Sequence, residues 1–308
     1  MTEGFHPYPR AVRRYATERY PLKGKAYAAS IFIAFIGAYS SWVNVEQGNR
    51  LPALVVLWLT ATLSIGGIGV GRMNRKPRSK FRYINAIVMT RAEKPPLDSW
   101  VYLAQMRRLP VPILISAGLF VVAMLVVGVY GVLQLIGVFP PLNPDASFMN
   151  RLGATVIALA LMGAGGWLLW LNLAVAWRNG RVAAAPSGIA LGVNGVALHM
   201  PSRDAEVRWE HIRSVGSTTS SGKRPLLILV IQTAPEAGLP GNVLMIGADK
   251  FVVPMDALHS ALQWYFAHPH LRWELDSTVG RDRLDGWRKD AIELQATEKT
   301  SIVRRALQ

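Results

Sequence analysis

The hydrophobic positions of the chain fall into two regimes. In the first, uncharged apolar stretches run long: Ala26–Val43, Leu51–Gly71, Val111–Phe139 and Leu152–Trp177. None of them contains Asp, Glu, Lys, Arg or His. At about 1.5 Å per helical residue the shortest spans about 27 Å, close to the ~30 Å of a bilayer's hydrocarbon core. A core helix of a water-soluble protein would show a polar face over such lengths, and these stretches show none. The pattern predicts four transmembrane helices, with Trp42, Trp100 and Trp177 at their edges where aromatic side chains suit the headgroup level.

In the second regime, after Arg181, apolar runs shorten to strand length and turn residues punctuate them. The run 188–192 leads through Val193-Asn194-Gly195 into 196–200, and Asn-Gly between two such runs predicts a hairpin. Residues 205–209 alternate, with Val207 and Trp209 on one face. Further strands are expected at 214–215, 226–231, 242–246 and 251–253. A helix is predicted from Asp256 to about His268, because Leu258, Leu262, Tyr265 and Phe266 share one face. A second amphipathic helix is predicted over 281–295, aligning Leu284, Trp287, Ala291 and Leu294, with 296–308 fraying.

Charge settles orientation. Net charge is +15. Residues 1–180 hold 19 Lys+Arg against 6 Asp+Glu, and residues 181–308 hold 15 against 13. The basic excess thus sits in the apolar half, which excludes a nucleic-acid face and reads as a membrane signature. Segments 1–25 and 72–109 carry sixteen basic residues, whereas 44–50 and 140–151 carry one each, Arg50 and Arg151. Positive residues stay on the cytoplasmic side, so both termini are expected in the cytoplasm of a multi-pass inner-membrane protein, with no cleavable signal.

Within 72–109, the run Arg72, Arg75, Lys76, Arg78, Lys80 and Arg82 is expected to contact anionic lipid headgroups. After Pro95-Pro96, residues 98–108 are predicted as a short interfacial helix. Gly67 and Gly71 form a GxxxG pair, and Gly163 and Gly166 lie in the fourth stretch; all four are candidates for helix packing, within the chain or against a partner.

The order of strands closed by one amphipathic helix, together with the hairpin at 188–196 and the run Val207-Arg208-Trp209-Glu210-His211-Ile212 before Val215, resembles the bacterial PH-like domain family over about 185–270. Four spans followed by such a domain, and the stretch from His268 to Leu275, are similar to actinobacterial membrane proteins. The resemblance implies an α-helical four-span region plus a C-terminal α+β PH-like domain at 183–272, an antiparallel small barrel or sandwich capped by a helix. It implies a binding or scaffold surface and does not imply catalysis. Phosphoinositide binding does not carry over, because the first hairpin loop has no basic residue. Lys223, Arg224 and Trp287 are candidate contacts to a membrane or a partner.

Little chemistry is legible. The chain has no cysteine, which excludes disulfides, thiolate metal sites and a thiol nucleophile. The segment Gly216–Arg224 departs from a phosphate loop in spacing and lacks a following helix. His268 and His270 lack a third ligand, and Glu210 and His211 are neighbours on a predicted strand, pointing apart. Asp282, Asp285 and Asp290 sit among basic residues on one helix. No cofactor, metal or nucleic acid is expected. The expectation is a scaffold component of a membrane protein assembly, through other subunits or self-association. Alternatives are an accessory subunit of a larger respiratory or transport complex, held by its spans, and an enzyme acting on lipid at the interface.

Overall fold

The computed structural model describes residues 2–8, 22–48, 50–73, 77–89, 96–136, 138, 148–184, 186–200, 203–219, 227–247 and 250–306. They form two compact units: an apolar one spanning Leu22–Asn74 and Leu109–Asn179, and a mixed one drawn from Met1–Pro21, Arg75–Arg108 and Gly180–Gln308.

The apolar unit holds α1 (Leu22–Glu46), α2 (Arg50–Met73), α3 (Val111–Leu135) and α4 (Phe148–Ala184). Among the described residues three stretches are long and apolar enough to cross a membrane: Lys25–Glu46, Ala53–Met73 and Val111–Gln134. In α4 the apolar stretch found among the described residues is the shorter Met162–Trp177. The helices leave Phe32, Phe35, Leu54, Val126, Trp167 and Trp170 exposed, a surface suited to lipid rather than water. Small residues set the approach of α1 to α2. A side chain at Gly67 would overlap the Ser30 hydroxyl, and one at Gly71 would strike the ring of Tyr27. Hydroxyls add cross-helix hydrogen bonds, Ser41 Oγ to Ala53 O at 2.9 Å and Ser116 Oγ to Thr62 O at 2.7 Å. In α4 the packed glycine is Gly165, against Leu125 and Met124, whereas Gly163 and Gly166 face open space.

The mixed unit holds two antiparallel sheets. The first orders β1 (Arg82–Asn85), β2 (Trp100–Gln105), β3 (Gly188–Leu191), β4 (Gly195–Met200) and β5 (Arg203–Arg208) as consecutive neighbours. The second holds β6 (Ile212–Thr219), β7 (Leu227–Thr233) and β8 (Val243–Gly247). Alternating inward residues of both, among them Tyr102, Ile189, Leu198, Val207, Leu229 and Leu244, form one core. Helices α5 (Met255–Ala267) and α6 (Thr278–Ala306) add Leu258, Leu262, Tyr265, Leu284 and Trp287 to it. Trp209 and Ile212, either side of the turn from β5 to β6, are buried, and Trp209 Nε1 donates to Gly192 O at 2.9 Å.

Several expectations change. Residues 100–105 form β2, not an interfacial helix. β2 pairs with β1 on one side and with β3 on the other, Leu103 opposite Arg82 and Ala190. Both its faces are covered: Tyr102 and Ala104 lie in the main core, Val101 and Leu103 in a second cluster with Ala86, Met89 and Ala190. A strand buried on both faces loses the polar alternation that announces a strand. The domain is therefore not confined to 183–272. Residues 251–253 reduce to one bridge, Phe251 to Met106. The terminal helix continues to Ala306 where fraying was expected. Residues 281–295 are docked on their own domain, with Trp287 buried and donating to Glu3 O at 2.9 Å.

Residues 2–8 are held on α5 and α6. Tyr8 N–H donates to Asp256 Oδ1 and His6 N–H to Ser260 Oγ, both at 2.9 Å. Gly4, at φ 74°, lies against the Trp264 ring, where a side chain would not fit. His259 Nδ1 meets His6 O at 2.8 Å, a bond the neutral ring makes by donating Nδ1–H. Burial holds the His259 imidazole below its ordinary range. Unfolding releases a group that protonates more readily, so stability is full above about pH 6.5 and falls as pH drops toward the depressed folded value. Thermal unfolding of the detergent-solubilised chain between pH 7.5 and 5 should show that loss, and His259→Gln should flatten it.

Candidate functional site

The outer face of the five-stranded sheet carries a cavity of about 230 Å³. Local sequence explains the space. Gly195, Ala197 and His199 alternate outward along β4, while Val196 and Leu198 turn to the core. With Ala190 on β3, two outward positions of β4 are too small to fill the layer between the sheet and what covers it. The cover is the turn after β1, contributing Ala86 and Met89, and Pro96 and Asp98 before β2. Asp204 and Glu206, outward on β5, complete the wall with Val101.

Two carboxylates fasten the cover. Asp98 Oδ1 accepts from Asn194 N and Asn194 Nδ2, both at 3.0 Å, across the β3–β4 turn. Glu206 Oε1 accepts from Leu97 N at 2.9 Å. Burial raises the Asp98 carboxyl above its ordinary range, opposed by those donated hydrogen bonds. The third carboxylate, Asp204, faces His199 across the β4–β5 ladder, Nδ1 to Oδ1 at 2.6 Å. His199 is 4% exposed. Its Nε2 is buried and has no hydrogen-bond partner among the described residues. The Asp204 side chain is 49% exposed, so the pair runs from the solvent edge inward. Nδ1–H donates to the Asp204 carboxylate, which fixes the orientation of the ring.

This constellation resembles the base and orienting acid of acyl-transfer sites, yet among the described residues the lining includes no Ser, Thr, Tyr or Lys. The described lining sets hydrogen-bond acceptors beside apolar walls. Sequence reasoning missed it, because the cover comes from residues about 100 positions away in the chain. A visible signal was the outward sequence Gly-x-Ala-x-His facing Asp-x-Glu across one hairpin.

The residues singled out from sequence lie elsewhere. Arg75, Lys76, Lys223 and Arg224 are outside the described residues. Arg72, Arg78, Lys80 and Arg82 are exposed. Arg72 ends α2, Lys80 Nζ lies 3.6 Å from Asp285, and Arg82 Nη1 donates to Gln105 at 3.4 Å. His268 stacks on Trp264 with ring centroids 3.9 Å apart. Glu210 and His211 form a short helical turn rather than a strand, and their side chains come within 3.8 Å. Among the described residues no group of three His, Asp or Glu side chains could hold a metal. Tyr83 and Trp100, stacked at 5.2 Å, are exposed at edge strand β1, and Ile87 and Val88 are exposed in the turn that follows it.

Asp98→Ala should lower stability by about 1–3 kcal/mol, since the turn at Asn194 loses a charged acceptor of two hydrogen bonds. Asp204→Asn, which keeps an acceptor for His199 Nδ1, should cost less than about 1 kcal/mol. Chemical denaturation of the two purified variants measures the contrast. The chain matches no family model, no curated protein and no solved structure.

Proposed function

We propose that this is a multi-pass protein of the inner membrane whose split α+β domain faces the cytoplasm and serves as a docking module for membrane protein subunits. One observation carries the topology: β2 pairs with β3, so the segment between α2 and α3 and the segment after α4 share one sheet. Two segments in one sheet lie on one side of a membrane, which requires an even number of crossings between them. If α3 crosses, α4 must return the chain. The same parity holds for α1 and α2, because residues 2–8 pack on α5 and α6. The sheet thus supports four crossings although the apolar stretch of α4 is shorter by composition. The Lys/Arg excess of the shared side supports a cytoplasmic location.

For the domain, two antiparallel sheets over a common core and a helix after the last strand agree with a PH-like arrangement extended by β1 and β2. Docking is assigned to the exposed Tyr83–Trp100 pair with Ile87 and Val88. Large apolar side chains beside an edge strand are the features that protein partners cover.

The absence of cysteine makes both parts testable with single-cysteine variants. In intact cells, Gly48→Cys should react with a membrane-impermeant maleimide and Gln308→Cys should react only after lysis. The reverse pattern would overturn the orientation. Native mass measurement after mild detergent extraction should find the chain in a complex, and Ile87→Glu with Trp100→Ala should shift it toward the monomer. A monomer in both cases would reject docking.

A further inference from the structure

We propose that the groove between α5 and α6 is a peptide-binding site and that residues 2–8 are its tethered ligand, displaced by a partner's extended peptide of the same chemistry. This assignment does not depend on the membrane reading. It starts from the polar side of α5. Leu258, Leu262 and Tyr265 face the core, yet Asp256, His259 and Ser260, at i, i+3 and i+4 on another face, are buried as well. Residues 2–8 cover them, and these residues belong to neither sheet and form no helix.

The contact has the form of peptide recognition. Side chains of the two helices meet five main-chain groups within seven residues. Asp256 Oδ1 accepts from Tyr8 N–H, and Ser260 Oγ accepts from His6 N–H. His259 Nδ1 donates to His6 O, Trp287 Nε1 donates to Glu3 O, and Asp290 accepts from Thr2 N–H. Main-chain bonds of this kind hold an extended segment, and pockets for particular side chains add selectivity. Tyr8 fills one such pocket: it is 1% exposed, with its ring centroid 4.3 Å from that of His259. Gly4 is read by exclusion, since at φ 74° it lies where a Cβ would overlap the Trp264 ring. Phe5 packs partly on the core, whereas the Glu3 and His6 side chains are exposed. The groove thus selects glycine, an aromatic residue beside it, and tyrosine four positions after the glycine.

The helix pair has contacts of its own. Arg283 donates to both Glu274 oxygens, at 2.7 and 3.0 Å, and its guanidinium lies 5.0 Å from the Trp264 ring. Trp287 packs on Tyr265 with centroids 6.2 Å apart, and Leu275, Leu284 and Ala291 are buried. Withdrawal of residues 2–8 opens the groove and leaves these contacts in place. Residues 9–21 link the segment to α1. A ligand on a short linker competes at an effective concentration of about millimolar, so a free peptide gains ready access only when the link is cut.

A protease site inserted between Arg14 and Tyr15 of the full chain, in neutral detergent, provides the test. The probe is a synthetic peptide of residues 2–10 with a fluorophore at its carboxyl end, and anisotropy reads binding before cleavage and after cleavage and washing with excess unlabelled peptide. The cleaved chain should release its own segment, keep its thermal transition and bind the probe one to one, at least tenfold tighter than the uncut chain. Gly4→Ala and Tyr8→Ala in the probe should each weaken binding at least tenfold, and His6→Ala should leave it nearly unchanged. Retention of the cut segment through washing, loss of the thermal transition on its release, equal binding before and after cleavage, or equal binding of the Gly4→Ala and Tyr8→Ala probes (partition into micelles) would each overturn the proposal.

Discussion

The hydrogen-bonded ladder between β2 and β3 is the contact on which the architecture rests. It joins residues more than 80 positions apart, with two apolar helices between them, and sets Tyr102, Leu103, Ala104 and Gln105 opposite Leu191, Ala190, Ile189 and Gly188. Without it, the segment between α2 and α3 would be a charged connector and the C-terminal region would lose the strand that covers β3. With it, Leu103 and Ala104 are fully buried on opposite faces of one strand. Such non-local pairing follows late in folding, since the closure of long loops comes before the contacts that compensate for it. The domain completes itself only after α3 and α4 have been made.

The same ladder explains what was legible in sequence. The apolar helices announced themselves because lipid exposure removes charge from every face of a helix. The hairpin at 188–200 was legible from Asn194-Gly195, and α5 from the face it buries. β2 was not legible. The residues Trp100 to Gln105 follow two prolines and an Asp-Ser pair, which suit a helix start, and their burial on both faces removed the alternation of a strand. Local pattern pointed one way and tertiary pairing decided the other. Trp287 misled differently: an aromatic on an amphipathic helix reads equally as a partner contact or as core, and the packing of residues 2–8 and α5 made it core.

The candidate site lay beyond local reading for the same reason. His199 and Asp204 are five residues apart and face each other only because the β4–β5 register pairs them. Pro96 and Asp98 belong to a distant stretch that the ladder carries across the sheet. The cavity exists where the second, smaller core around Leu103 and Ala190 gives out, and where glycine and alanine on β4 leave the layer unfilled. Site and split domain are therefore consequences of one pairing. Of the basic residues conspicuous in the sequence, Arg72, Arg78, Lys80 and Arg82 are described and exposed.

The central claim is that the segment between the second and third helices is sewn into the sheet of the C-terminal region. Residues paired across antiparallel strands have Cα atoms about 4.5–5.5 Å apart, within reach of a disulfide. In this cysteine-free chain, Leu103→Cys with Ala190→Cys would form one, and a protease site inserted between Phe139 and Phe148 would cut the chain between them. After oxidation in membranes and cleavage, the account predicts two fragments that migrate as one without reductant and separate with it. Fragments that separate without reductant would contradict it.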